Sequence, residues 1–410
     1  MNPKTTENRA LSKPWRIRAA QLDLARQRET LETIERYIRF VKKWGYNTLL
    51  LYLEGVVRTK SFPYRPANQS YSIADMRKIV RRAEDAGIEL VPCVSTLGHT
   101  EHFLTCKQLA YLGEQTTTPK PAMFCPSNDE VYEFLARYLG ELAGIFPGKF
   151  FHIGCDESWA LGSCPACRER LAKGEIVEDL VLKHILRVRS ILKKRGKRVW
   201  IWDDMFENAT EAKIKELPRD IVMCAWHYSS DVLDYGSLPG HFNNLRRRDW
   251  LSFYEAEGFD AIVCPWANYF ENALSLTEIA KQHRVLGGLQ TVWELAGSFL
   301  PAVLPGVALA GALWSQPSRS GEKVTEETIC KLFPSAGPLV RDALRGTLID
   351  AVWWHNHGPQ YYLRGPMTLG ERRNLRSLII YEKLIREHLA VMNSGTERDM
   401  MEDLHVLLRL

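Results

Sequence analysis

The sequence has no apolar run long enough to span a bilayer. Its longest such stretch, residues 299–314, is short and broken by prolines and glycines. Residues 1–16 are polar and charged with no apolar segment, so no secretory signal is expected there. A dominant charge is missing too: +5 over 410 residues gives little attraction for nucleic acid. The densest basic runs, residues 193–198 and Arg246-Arg247-Arg248, have no aromatics interleaved and read as solvated helix termini or loops. No low-complexity tract occurs, and 45% apolar with 25% charged residues excludes disordered and fibrous classes. These absences predict a soluble, cytoplasmic protein with no membrane or nucleic-acid partner, whose nine cysteines are reduced.

Tryptophan is what the chain has in plenty. Twelve are present, and a flat apolar face with one donor suits stacking on sugar rings or nucleobases, although a buried core position is the commoner explanation for any single one. Apolar segments alternate with amphipathic ones along most of the length. Strands are predicted at residues 15–24, 47–53, 88–94, 150–155, 198–202, 221–226, 261–266 and 286–293, with helices between them. Ser72-Ile73-Ala74-Asp75 has the form of a capping box, and Gly45 and Gly87 mark helix ends. Eight such units with no Gly-rich phosphate loop after the first strand predict a (β/α)8 TIM barrel with a C-terminal helical extension. The expected divisions are an arm at 1–14, the barrel at 15–318 and helices packed on it at 319–410.

Position gives the strongest functional signal. Asp23, Glu54, His99, Asp156, Glu157, Asp203, Trp226, Tyr269 and Glu294 all fall at or just past the ends of predicted strands, where barrel enzymes keep their chemistry. Asp156 and Glu157 are adjacent after the apolar run Phe150-Phe151-His152-Ile153. Two neighbouring acids on a strand point to opposite faces, so the pair belongs where the strand emerges. Taken alone, the pair would read as a helix N-terminus.

Two other motifs carry less. Cys164-Pro165-Ala166-Cys167 is half of a zinc site, which Cys155, Cys125 or Cys106 would have to complete; otherwise it is a pair of reduced thiols. The paired histidines of Trp353-Trp354-His355-Asn356-His357 read as a helix end packed on the barrel rather than as metal ligands. No metal or other cofactor is assigned.

His152-Ile153-Gly154-Cys155-Asp156-Glu157 resembles the H-[IV]-G-G-D-E signature of glycoside hydrolase family 20, the β-N-acetylhexosaminidases, with the cysteine similar to the hexosaminidase D-like branch. Arg18-Ala19-Ala20-Gln21-Leu22-Asp23 is similar to the family's first-strand R-G-x-x-L-D, Leu97-Gly98-His99-Thr100 to its P-G-H-T, and the run Gly288 to Glu294 to its last-strand G-x-x-x-x-W-x-E. The family's strand-two H-W-H-x-x-D is replaced by Leu50-Leu51-Tyr52-Leu53-Glu54, and Trp293 directly precedes Glu294 where one residue usually intervenes.

The resemblance implies substrate-assisted hydrolysis, in which the substrate's own 2-acetamido oxygen attacks instead of a second carboxylate. Glu157 would be the acid and then the base, a double role that a burial-raised pKa would suit, and Asp156 would orient the acetamido group and stabilise the oxazolinium. Arg18 and Glu294 would contact sugar hydroxyls, with His99 supporting the acid or the rim; Glu54, on the strand that departs from the family's pattern, would contact the sugar or support a residue that does. Trp202, Trp226 and Trp293 would wall the sugar, and Tyr269 would donate to the acetamido oxygen.

The expected activity is therefore exo-acting, retaining removal of terminal β-linked GlcNAc or GalNAc from an amino-sugar glycoside. The alternatives are a two-carboxylate retaining glycosidase with Glu294 as nucleophile, and a carbohydrate-binding barrel without catalysis. A homodimer through the C-terminal helices is left open.

Overall fold

The computed structural model describes residues 13–114, 123–206, 209–228, 249–267, 270–293, 300–347 and 369–409. Eight parallel strands close into a barrel: β1 (Ile17–Asp23), β2 (Thr48–Tyr52), β5 (Glu89–Cys93), β6 (Phe150–His152), β7 (Arg198–Trp202), β8 (Val222–Trp226), β9 (Asp260–Cys264) and β10 (Gly287–Gln290). All eight coincide with predicted segments. Thr48-Leu49-Leu50-Leu51-Tyr52 is buried at every position, as expected where helices cover the outside and side chains fill the inside. Closure comes from β1, which pairs with β2 along Ala19↔Thr48 to Asp23↔Tyr52 and with β10 along Ile17↔Gly287 to Ala20↔Gln290.

Local chemistry explains the helix boundaries. The helix Leu31–Lys43 begins where the Thr30 side chain accepts from Thr33 N, buries Ile34, Tyr37, Ile38 and Val41, and is followed by Gly45 at φ 89°. The capping box forms between Ser72 and Asp75. Sequence patterning missed β3 (Val57–Arg58) and β4 (Tyr71–Ser72), a two-residue parallel pairing outside the barrel that is too short to show any period. Strand β6 also stops earlier than predicted because Gly154 and Cys155 turn left-handed, at φ 67° and 75°.

The floor of the barrel is aromatic. Trp314, at the end of the helix Leu300–Ser315, stacks on Trp15 at 5.7 Å and meets Tyr46 edge-on at 6.0 Å, and its indole N–H donates to Thr277 Oγ1. Beyond it lie the helices Gly321–Leu332, Pro338–Gly346, Leu369–Leu389 and Thr396–Arg409, of which Ile385, Leu389, Met401 and Leu404 join the barrel's apolar core cluster. Among the described residues, no helix is long and apolar enough to cross a membrane.

The floor requires a residue without a side chain in β10. A Cβ on Gly288 would lie 2.5 Å from the Trp314 ring, with no room for so large a buried group to withdraw. Gly288→Ala is therefore expected to destabilise the protein by about 1–3 kcal/mol. Denaturant titration should show a lower midpoint with an unchanged slope.

Candidate active site

At the opposite end, the chain makes abrupt turns just past the strands. Four non-glycine residues among those described have positive φ: Glu54 at 41°, His99 at 52°, Cys155 at 75° and Glu157 at 46°. This left-handed region is unfavourable for such side chains and persists only where surrounding contacts impose it. All four follow the C-terminal ends of β2, β5 or β6. The turn after β6 is held by Gly154 N, which donates to His152 Nδ1, and by Thr96 Oγ1, which donates to the Ile153 carbonyl. Gly98 packs so closely on this turn that a Cβ there would lie 2.2 Å from the Asp156 carbonyl oxygen.

Asp156 and Glu157 thus share one cation between them. His99 Nε2 lies 3.1 Å from Glu157 Oε2 and 3.4 Å from Asp156 Oδ2. Burial opposes charge on His99, but the Asp156 carboxylate and hydrogen bonds to both acids outweigh it, and its pKa is pushed up to about 11. Burial likewise opposes charge on Asp156, yet the facing His99 holds it below the usual carboxylate value. His152 lies under the pair at 4.3 Å from the Trp202 ring; burial drives its pKa down to about 3, and Nδ1 accepts from Gly154, which leaves the proton on Nε2.

Glu157 is anchored from the next strand. Its backbone N–H donates to Asp204 Oδ2 at 2.9 Å, and Asp204 Oδ1 accepts the Trp226 indole N–H at 3.1 Å. One buried carboxylate therefore sets both the acid's backbone and the tilt of a wall residue. Burial first, then the neighbouring Asp156 charge, raise the Asp204 pKa well above the carboxylate range.

Aromatic rings surround the pair. Trp202, Trp226, Trp266, Trp293 and Tyr228 line one cup with Arg26, His99, Asp156 and Glu157. Tyr228 stands 4.8 Å from Trp226 and 5.6 Å from Trp266, and its hydroxyl accepts from Trp293 Nε1 at 3.0 Å. The Arg26 guanidinium lies 4.9 Å from the Trp293 ring and donates to Asp23 Oδ2 at 2.8 Å. Asp23 also accepts the backbone N–H groups of Ala25 and Arg26.

Six of the residues singled out in the sequence, His99, Asp156, Glu157, Trp202, Trp226 and Trp293, meet in this cup. Arg18 does not, and that assignment is corrected. It lies at the start of β1, on the floor side, where its guanidinium donates to the carbonyls of Gly45 at 2.6 Å and Trp15 at 2.5 Å. Glu54 is also absent from the lining. It lies behind the cup, accepts from Tyr52 Oη at 2.8 Å, and is pushed up to about 7 by burial despite the opposing charge of Arg26. Tyr269 and Glu294 fall outside the described residues, as do His355 and His357.

Sequence reasoning missed Arg26, Tyr228 and Trp266. Arg26 and Tyr228 fall just past predicted strand ends, so a wider window would have found them, and Trp266 is itself the last residue of a predicted strand.

Flat aromatic walls around a carboxylate pair at the mouth of a closed parallel barrel define the architecture of a carbohydrate-cleaving barrel enzyme. The model of the glycosyl hydrolase family 20 catalytic domain matches residues 50–237 of the chain. It is 25% identical to human hexosaminidase D over 346 residues, which are 82% of this chain and 66% of the relative. To bovine hexosaminidase D it is 26% identical, over 74% of this chain and 84% of the relative. The chain thus spans about two thirds of the human relative. Among solved structures, a Bacteroides fragilis β-N-acetylhexosaminidase aligns at TM-score 0.58 with 23% identity, over 72% of this chain and 65% of the other. A Flavobacterium johnsoniae chitobiase aligns at 0.60 with 16% identity, over 97% and 70% respectively.

The shared cation predicts a pH signature for stability. With its pKa raised from 6.5 to about 11, His99 contributes fully at pH below 6.5 and loses its contribution as pH climbs towards 11. Asp156, held below 3.8, contributes above that value and loses its share as pH falls further. The stability lost in His99→Gln, measured by urea unfolding, should be greatest near pH 5–6 and shrink steadily into the alkaline range. A loss equal at pH 6 and pH 10 would show that the imidazole is not held as a cation.

Proposed function

We propose that the chain is an exo-acting, retaining β-N-acetylhexosaminidase that releases terminal β-linked GlcNAc or GalNAc through an oxazolinium intermediate. One observation carries the reading. Asp156 is buried, its Oδ2 faces His99, and its Oδ1 has no hydrogen-bond partner among the described residues. A buried acceptor left open is costly until a ligand supplies a donor, and the N–H of a 2-acetamido group is such a donor.

In this scheme the acetamido N–H donates to Asp156, which aims the acetamido carbonyl oxygen at the anomeric carbon. Glu157 transfers a proton to the glycosidic oxygen as the acetamido oxygen forms its bond to that carbon and the aglycone leaves. The positive charge of the oxazolinium then rests against the Asp156 carboxylate. Glu157, now a carboxylate, removes a proton from water, which opens the ring and restores the β configuration. His99 fixes the spacing of the two acids, and the tryptophans stack on the pyranose and enclose the acetamido methyl. Arg26 takes the hydroxyl-binding role that the sequence resemblance gave to Arg18, with a fork suited to vicinal hydroxyls. Nine unpaired cysteines, seven of them in the buried apolar cluster, favour a reducing, cytoplasmic setting.

Hydrolysis of an aryl β-N-acetylglucosaminide tests the reading. Glu157→Gln should lower turnover at least ~10²-fold. Asp156→Asn should reduce kcat more than it raises KM, because its charge matters most as the oxazolinium forms; a rise in KM alone would remove Asp156 from that role. A thiazoline mimic of the intermediate should inhibit strongly, and indifference to it would favour an ordinary carboxylate nucleophile. For Arg26→Lys the expectation is a KM raised by roughly tenfold with a smaller change in kcat, since one point charge replaces a two-pronged donor.

A further inference from the structure

A second cluster of chemistry-bearing side chains lies outside the cup. We propose that Glu114, Cys125, Cys164 and Cys167 form a structural zinc site that ties the loop following β5 to the loop following β6. All four residues are buried, and their ligand atoms lie within 4.8 Å of one another. Cys125 Sγ is 3.5 Å from Cys164 Sγ and 3.7 Å from Cys167 Sγ, and Cys167 Sγ is 3.3 Å from Glu114 Oε2. Ligands on one tetrahedral zinc, at about 2.3 Å for sulfur and about 2.0 Å for oxygen, lie roughly 3.5–3.8 Å apart. A disulfide would need about 2.05 Å between sulfurs, and all nine cysteines are free.

The chemistry of the donors points to the same metal. Three thiols are poor hydrogen-bond partners for one another, and Glu114 forms no ion pair among the described residues. Arg170 is engaged by Glu175 and reaches the cluster only through Ser127 Oγ, which lies 3.1 Å from Cys167 Sγ. A buried carboxylate facing three sulfurs thus lacks a cation, and a divalent, borderline-soft ion supplies it. On binding, the thiols release their protons to solvent and bond as thiolates. Outer contacts that orient the ligands and offset their charge are already in place: Cys164 N donates to Glu114 Oε1 at 2.8 Å and Cys167 N donates to Cys164 Sγ at 3.3 Å. Four protein ligands leave no position for water, so the ion would be structural rather than catalytic.

Its location gives it a task. Phe124 N donates to the Leu97 carbonyl, two residues before His99, so Cys125 belongs to the loop system that carries that histidine. Cys164 caps the helix Pro165–Ala172, which closes the loop beginning at Asp156 and Glu157. The ion would therefore lock together the two segments whose side chains meet as His99, Asp156 and Glu157. Of the three partners considered for the C-x-x-C pair, only Cys125 reaches it; Cys155 turns towards Thr96, and Cys106 towards the His102 carbonyl. The fourth ligand, Glu114, had no sequence signal.

The proposal does not rest on the hydrolase reading, and its test is metal content. The full chain, produced with zinc supplied and purified without chelator, should carry about one zinc per chain by mass spectrometry of the elements. Cys125→Ser with Cys167→Ser should drop this below roughly a tenth, while Cys330→Ser should leave it unchanged. Should the double variant fail to fold, a mercurial titration of the wild type keeps the test open: zinc should be released to a chromogenic chelator in step with thiol modification. Zinc content under roughly a tenth in the wild type would overturn the proposal, as would full retention by a folded double variant or an intact mass two hydrogens short.

Discussion

Strand β1 is hydrogen-bonded along both edges, and the site depends on that closure. Once β1 joins β2 on one side and β10 on the other, all eight strands must deliver their C-terminal ends to one rim. The register levels those ends: Asp23 lies beside Tyr52, Tyr52 beside Cys93, and Cys93 beside His152. Residues a few positions further along each chain, Arg26, His99, Asp156 and Glu157, consequently arrive at the same height. The aromatic floor at Trp15, Tyr46 and Trp314 holds the other end shut, so the cup is a depression in a packed core and not the mouth of a channel.

Concentrating acids at such a rim raises an electrostatic difficulty, which the structure resolves by giving each carboxylate a different state. Asp156 is held ionised by His99. Glu54 and Asp203 are buried and pushed up to about 7, and Asp204 is raised further by burial and the Asp156 charge. The few cations are assigned to particular acids, Arg26 to Asp23 and His99 to Asp156 and Glu157. Such a division lets six acids occupy the end of one barrel without a large net charge, and leaves Asp156 as the buried ionised group that a developing positive charge would meet.

The loops that hold this arrangement are strained and braced. Left-handed backbone at Glu54, His99, Cys155 and Glu157 is tolerated because close packing, such as that of Gly98 on Asp156, leaves no alternative path. The Glu114, Cys125, Cys164 and Cys167 cluster braces the same two loops from behind. Strain at Asp156 and Glu157 and the proposed cross-link just outside them would be complementary, since a turn held in an unfavourable conformation relaxes unless its ends are fixed.

The eight strands, the capping box and the position of Asp156 and Glu157 were all legible in the sequence, because each is a local pattern whose period or spacing needs no knowledge of the partner. Strand-end position also picked out His99 and Trp226, and the family resemblance added Trp202 and Trp293. The family-like motif misled for Arg18, which it placed at the sugar but which lies at the start of β1, a full strand length from the rim. Strand-end position did so for Glu54, whose left-handed turn carries it behind Tyr52. By itself the sequence determined the barrel and the identity of its two acids, since both follow from hydrophobic periodicity and from the cost of burying adjacent charges. Only the tertiary structure decided that Arg26 lines the cup and Arg18 does not, that Asp204 fixes Glu157 and Trp226, and that Glu114 and Cys125 meet the C-x-x-C pair. Those contacts join residues tens of positions apart through irregular loops, and no repeat in the chain encodes a loop's path.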